Sequence, residues 1–156
     1  MTTTKSDSAG APNSNGVPGL RRRAREMAVQ MLFQLEFVPG GFQPGGAPHI
    51  LRRFIADFAI DPEISEYGSL LFTGVTEKMK EIDAVIQSNS AHWKISRMGL
   101  VDLSVMRVAV FEMKFLNPSL EPKIAINEAV EIAKRYGSTE SGAFVNGILD
   151  NMARAL

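Results

Sequence analysis

Four arginines fall within five residues, Arg21, Arg22, Arg23 and Arg25, at the start of a stretch with helical periodicity. Unpaired amides already make the start of a helix partly positive, so cations there are mildly unfavourable, by a few tenths of a kcal/mol. One explanation is a solvated charged end without a role. The other is an anion-binding end, where guanidinium groups and free backbone amides act on the same phosphate. The chain as a whole gives no help, since seventeen basic and seventeen acidic residues cancel. Without the four arginines, thirteen basic residues face seventeen acidic ones, so a mildly acidic body carries one concentrated positive end.

Other chemistry is sparse. His49 and His92 have no His or Cys partner at ligand spacing, so no metal is expected. No phosphate-cradling glycine loop and no nucleophile elbow is present. Ser138 and Ser141 have no histidine near them in sequence, and helix capping accounts for them. Nothing singles out an acid and base pair among the carboxylates, so neither an enzyme nor a cofactor is expected. The absence of cysteine excludes disulfides and thiolate chemistry.

The elements that must carry these residues are helical. Residues 1–20 are rich in Ser, Thr, Gly, Pro and Asn, and they predict a disordered tail ahead of one domain over 21–156. Arg21 to Val38 predicts a first helix, with Met27, Met31, Phe33, Leu35 and Phe37 among its apolar positions. A Gly- and Pro-rich connection leads to a helix from about Ile50 to Ala59. Asp61-Pro62 opens the next, since Asp caps well and Pro is tolerated at the first helical position. Ile64, Tyr67, Leu71, Val75, Met79, Ile82 and Ile86 extend it as one long amphipathic helix to about Asn89, with Gly68 and Gly74 marking close packing. A short helix around His92 to Met98 precedes Leu100 to Leu116, which is apolar on nearly every side and so predicts a helix buried by its neighbours. Arg107 and Glu112 lie on it, and each needs a partner on another helix; Glu128 is a candidate for Arg107.

Residues 121 to 150 read as helix, break, helix. Gly137 is placed to end the first in a left-handed conformation, with Ser138 to Ser141 capping the second. On that second helix Val145, Ile148, Leu149 and Met152 supply an inward face, which leaves Phe144 to join it or stand at its rim. No run of strict alternation bounded by hairpin turns occurs. The reading is an all-α bundle of about seven helices. No export signal and no apolar run long enough to span a membrane is present, so a soluble cytoplasmic protein is expected.

Three stretches carry a family resemblance. Ile126-Asn127-Glu128-Ala129, the Ala133-Lys134 pair and Phe144-Val145-Asn146-Gly147-Ile148-Leu149-Asp150 resemble the C-terminal signature of the NusB family of transcription antitermination factors. Arg21-Arg22-Arg23-Ala24-Arg25-Glu26 with Ala28, Val29, Gln30 and Leu32 resembles its first helix, and Trp93 to Glu112 its central one. The resemblance implies a factor without catalytic activity that binds the boxA element of nascent RNA. It acts together with NusE, a small-subunit ribosomal protein, and supports antitermination on ribosomal RNA operons within the RNA polymerase complex. Arg21, Arg22, Arg23 and Arg25 are then phosphate contacts, Phe144 a stacking group, and Glu140 an acidic position near the RNA. Asp102 matches a position facing NusE, and the oligomeric state is a monomer or homodimer. Where the family often has a lysine before the phenylalanine, this chain has Ala143. A helical module that only holds a protein partner is the alternative. A methyltransferase carrying this domain would need a further αβ domain, and the chain ends at Leu156.

Overall fold

The computed structural model describes residues 19–58 and 60–155, so the tail expected over 1–20 lies almost wholly outside the described residues. Among the described residues seven α-helices follow one another: α1 (Leu20–Leu35), α2 (Gly46–Asp57), α3 (Pro62–Glu77), α4 (Met79–Ser88), α5 (Leu100–Phe111), α6 (Pro122–Tyr136) and α7 (Ser141–Arg154). A single 3-10 turn, Ile95–Arg97, stands where the sequence predicts a short helix, and α5 runs on into a wider π-helical turn, Glu112–Leu116. No strand occurs among the described residues.

α5 is the centre of the bundle and packs against α1, α3, α4, α6 and α7. Every residue from Leu103 to Met113 is buried, as an all-round apolar sequence requires. Around it lie Met31, Leu32 and Leu35 of α1, Leu71, Phe72 and Val75 of α3, Ile82 and Ile86 of α4, and Val145 and Leu149 of α7. The glycines on α3 permit two of these contacts. A Cβ on Gly74 would lie 1.9 Å from Cζ of Phe111, and one on Gly68 would lie 2.7 Å from Sδ of Met27. α1 and α3 therefore approach closely at Gly68, and α3 and α5 at Gly74.

Several boundaries differ from the sequence reading. The long helix expected up to Asn89 is two, broken at Lys78, whose backbone (φ −107°, ψ 16°) leaves the helical well. The apolar spacing passes through that break unchanged, so periodicity alone does not register it. α2 starts at Gly46, four residues early, because Pro48 falls in its first turn, where a missing N–H loses nothing. α1 ends at Leu35, and Phe33 and Phe37 are exposed, their rings 5.0 Å apart. Gly137 is not left-handed (φ −98°, ψ −162°). It is required sterically, since a Cβ there would lie 2.3 Å from Oγ of Ser141 and 2.8 Å from the Ala133 carbonyl. Ser141 Oγ accepts from the Ser138 amide at 2.9 Å, closing the link between α6 and α7 and leaving the start of α7 without a side-chain cap. Asp61 does cap α3, accepting from the Glu63 amide at 2.9 Å.

Candidate nucleic-acid interface

Among the described residues, no side chain caps the first turn of α1 and no acidic residue stands in it, which suits its amides to an anion. Its four arginines meet different fates, set by the 100° step between successive residues. Arg23 points outward, exposed and without an ion pair among the described residues, above a shallow groove lined by Met27, Gln30, Phe54 and Phe58. Arg21 is half-buried, with its guanidinium carbon 3.7 Å from the centre of the Tyr67 ring on α3. That is close enough for a cation–π contact that holds the group flat.

Arg22 reaches sideways to α6. Its Nε donates to Glu128 Oε2 at 2.6 Å and its Nη2 to Oε1 at 3.1 Å. The hydrogen bond to Glu128 raises its pKa, against the lowering effect of partial burial.

Arg25 is not on the surface. Four residues before Val29 and seven before Leu32, it lies on the apolar stripe of α1, and it is only 3% exposed. Its Nε and Nη2 donate to the two oxygens of Glu112 at 2.6 and 2.9 Å, and Glu128 stands 3.9 Å away. Burial pulls the Arg25 pKa down, but the hydrogen bonds and charge of Glu112 outweigh it and leave it raised. This corrects the sequence reading: Arg25 is a structural cation, committed to a buried carboxylate, and does not present itself to a phosphate.

Glu112 accepts a third hydrogen bond, from the Tyr67 hydroxyl at 2.7 Å. Burial pushes the Tyr67 phenol well above its ordinary value, and the neighbouring Glu112 charge adds to the effect. Arg21, Tyr67, Glu112 and Arg25 thus form one chain of contacts from the surface into the core, and Glu128 joins Arg22 to it. Arg107 pairs elsewhere. Its guanidinium donates to Asp83 on α4 at 2.8 and 2.9 Å and to Glu36 at 3.2 Å, so the Glu128 partner suggested by the sequence is replaced.

Phe144 is the fourth residue of α7, half-buried and packed against the core, with part of its surface left open. Glu140 is exposed at the start of the same helix. Asp102 is half-buried in the first turn of α5, behind an N-cap that is Gly99. The structure therefore gathers Arg21, Arg22 and Arg23 at the α1–α3–α6 junction and sets Glu140 and Phe144 at the end of α6. No contact among the described residues ties Asp102 to either group. The sequence reading expected a partner for Glu112 on another helix, and Arg25 is that partner; it gave Glu128 to Arg107 instead of Arg22, and it missed Tyr67 as a support.

The model of the NusB family matches residues 22–154, from the second arginine of this run to the end of α7. The chain belongs to the NusB family. A transcription antitermination protein NusB of Bdellovibrio bacteriovorus is 47% identical over 138 residues, covering 86% of this chain and 96% of the relative. One from Sorangium cellulosum is 41% identical over 138 residues, with 88% of this chain and 94% of the relative covered. Among solved structures, T. maritima NusB superposes with a TM-score of 0.74 at 35% identity, covering 86% of this chain and 90% of that one. A structure of antitermination factors NusB and NusE in complex with dsRNA superposes with a TM-score of 0.75 at 25% identity, covering 88% and 98%. All the NusB candidate residues except Arg21 fall inside the family match.

Proposed function

We propose that this chain is a non-catalytic transcription antitermination factor of the cytoplasm. It binds boxA-type single-stranded RNA together with the ribosomal protein NusE, as part of the RNA polymerase complex on ribosomal RNA operons. The observation that carries this reading is the superposition, over 98% of the neighbour's chain, on a NusB found with NusE and double-stranded RNA, which supports the two partners, while the preference for a single strand rests on the local chemistry. The local chemistry supports it. Residues 21–156 act as the binding unit, Arg23 and Arg21 present guanidinium groups beside free helix amides, and Arg22 reaches the same anion by sharing itself with Glu128. Phe144 offers the open part of its ring to an unpaired base and Glu140 lies beside it, while Asp102 faces NusE. Aromatic surface next to cations suits single strands, whose bases are free to stack, better than a duplex.

The test is a titration with boxA-type RNA, single-stranded and duplexed, with and without NusE. Single-stranded binding that tightens when NusE is added is the expected result, and no RNA binding at low salt in either condition would overturn the reading. Asp102→Lys should weaken association with NusE by calorimetry and leave binding of RNA by the protein alone unchanged, since reversing one interface charge creates like-charge contacts away from α1. A module that only holds proteins is the competing reading. The exposed phenylalanines Phe37 and Phe42 favour it, and it predicts partner binding with no RNA affinity.

A further inference from the structure

The arginines of α1 and the aromatic of α7 stand apart in sequence, and the last turn of α6 lies between them. Glu26 sits one turn beyond Arg22 and Arg23 on α1. Its carboxylate accepts from the Tyr136 hydroxyl at 3.0 Å and from Arg135 Nη1 at 3.3 Å. Arg22 is joined to Glu128 on the same helix, so long side chains bridge α1 to α6 at both places, and the cations at the end of α6 lie beyond the arginines of α1. Lys134 completes the crossing. A Cβ on Gly142 would lie 3.0 to 3.7 Å from its side-chain carbons, so Lys134 lies across the first turn of α7, two residues before Phe144.

The helix dipole accounts for Lys134 and Arg135, because cations are favoured at a C-terminus. It does not account for Tyr136. This ring is 40% exposed, yet it is fixed at its far end by a carboxylate that is only 9% exposed. The Arg135 guanidinium lies 5.4 Å from the ring centre, on a side chain more than half exposed. An exposed ring already held in place loses little freedom when a flat group stacks on it, which is how a stacking platform gains affinity.

We propose that Lys134, Arg135 and Tyr136 form a further contact for single-stranded RNA, in which the Tyr136 ring stacks on an unpaired base and the two cations hold the flanking phosphates. The contact rests on the RNA-binding reading above and extends it over the end of α6 to Phe144.

The experiment compares Tyr136→Phe and Tyr136→Leu in the full chain, titrated with a boxA-type single strand. In parallel, the wild-type protein is cross-linked to the same RNA carrying 5-iodouridine. Tyr136→Phe keeps the ring and should bind within about twofold of wild type, whereas Tyr136→Leu keeps the bulk without the π face and should bind on the order of tenfold more weakly. Cross-linking should label Tyr136, and this does not depend on either variant folding. Equal affinity of Tyr136→Leu and wild type, or RNA binding with no label at Tyr136, would overturn this contact while leaving the RNA reading intact. An equal loss in both variants would move the effect to the Glu26 hydrogen bond and also overturn stacking. Lost NusE association with unchanged RNA affinity would assign the surface to protein. If wild type bound no RNA at all, the reading on which the proposal rests would fail with it.

Discussion

At the scale of single residues, the decisive fact is that two arginines four positions apart do opposite work. Arg21 ends at the surface against an aromatic ring, and Arg25 ends in the core against Glu112. A buried ion pair gains little over an apolar pair of the same volume, but losing one partner leaves a charge without compensation, at a cost of about 3 to 5 kcal/mol. Glu112→Gln should therefore lower the unfolding free energy by roughly that amount in chemical denaturation. The Glu112→Leu, Arg25→Met double variant should lose less than either single change, and a double variant as unstable as their sum would contradict the pairing. Tyr67 adds a pH dependence. Its folded pKa is raised, so the unfolded chain releases the phenolic proton first, near pH 10 (about its ordinary value), while the folded chain holds it. The stability due to this group is complete below that pH and falls as pH rises towards the folded value. Tyr136 is shifted the same way, by burial and then by Glu26, so Tyr67→Phe should reduce the alkaline loss of stability without removing it. Denaturation curves at neutral and strongly alkaline pH would measure the difference.

At the scale of elements, α3 and α5 meet through a glycine and a phenylalanine. Gly74→Ala places a methyl group where the Phe111 ring now lies, and overpacking of this kind costs about 1 to 3 kcal/mol. The better helix propensity of alanine returns up to about 1 kcal/mol, so a net loss of about 1 to 2 kcal/mol is expected in thermal unfolding. Adding Phe111→Leu should recover part of it; an unchanged melting temperature in Gly74→Ala would mean that the ring moves freely. The sequence showed this contact because a glycine inside a strongly periodic helix needs a reason. It showed the buried α5 for a related one, since from Leu103 to Val110 only Ser104 and Arg107 interrupt the apolar residues, too little to make a face for water. What it hid follows from the same logic. The break at Lys78 leaves the apolar spacing intact, so no pattern marks it. Arg25 looked like its neighbours because a charge run was read by composition, although its register with Val29 and Leu32 already placed it inward. Which carboxylate answers Arg107 depends on how α4 crosses α5, and no local pattern carries that.

At the scale of the whole molecule, the charge balance is zero and the isoelectric point is near 6.7, so affinity for RNA has to arise from where the cations stand. The structure places Arg21, Arg22 and Arg23 at an uncapped helix start and commits Arg25 to the core, which separates two effects that the sequence merges. Each phosphate contact on a single strand contributes about 0.7 to the slope of log K against log salt. Arg22 must share itself with Glu128, so replacing Arg21, Arg22 and Arg23 by alanine should flatten the slope by roughly one to two units rather than the full value for three contacts. Removing Arg22 leaves the buried Glu128 carboxylate with only the more distant Arg25, so this triple variant should melt below wild type, and its slope is read on the folded fraction. Arg25→Ala should differ in the slope: it should melt far below wild type because Glu112 is left buried without its cation, yet retain the wild-type salt slope in whatever fraction stays folded. A salt series run on both variants beside their melting curves distinguishes the two roles. A triple variant with an unchanged slope, or an Arg25→Ala protein that folds normally and loses slope, would reverse the assignment of these arginines.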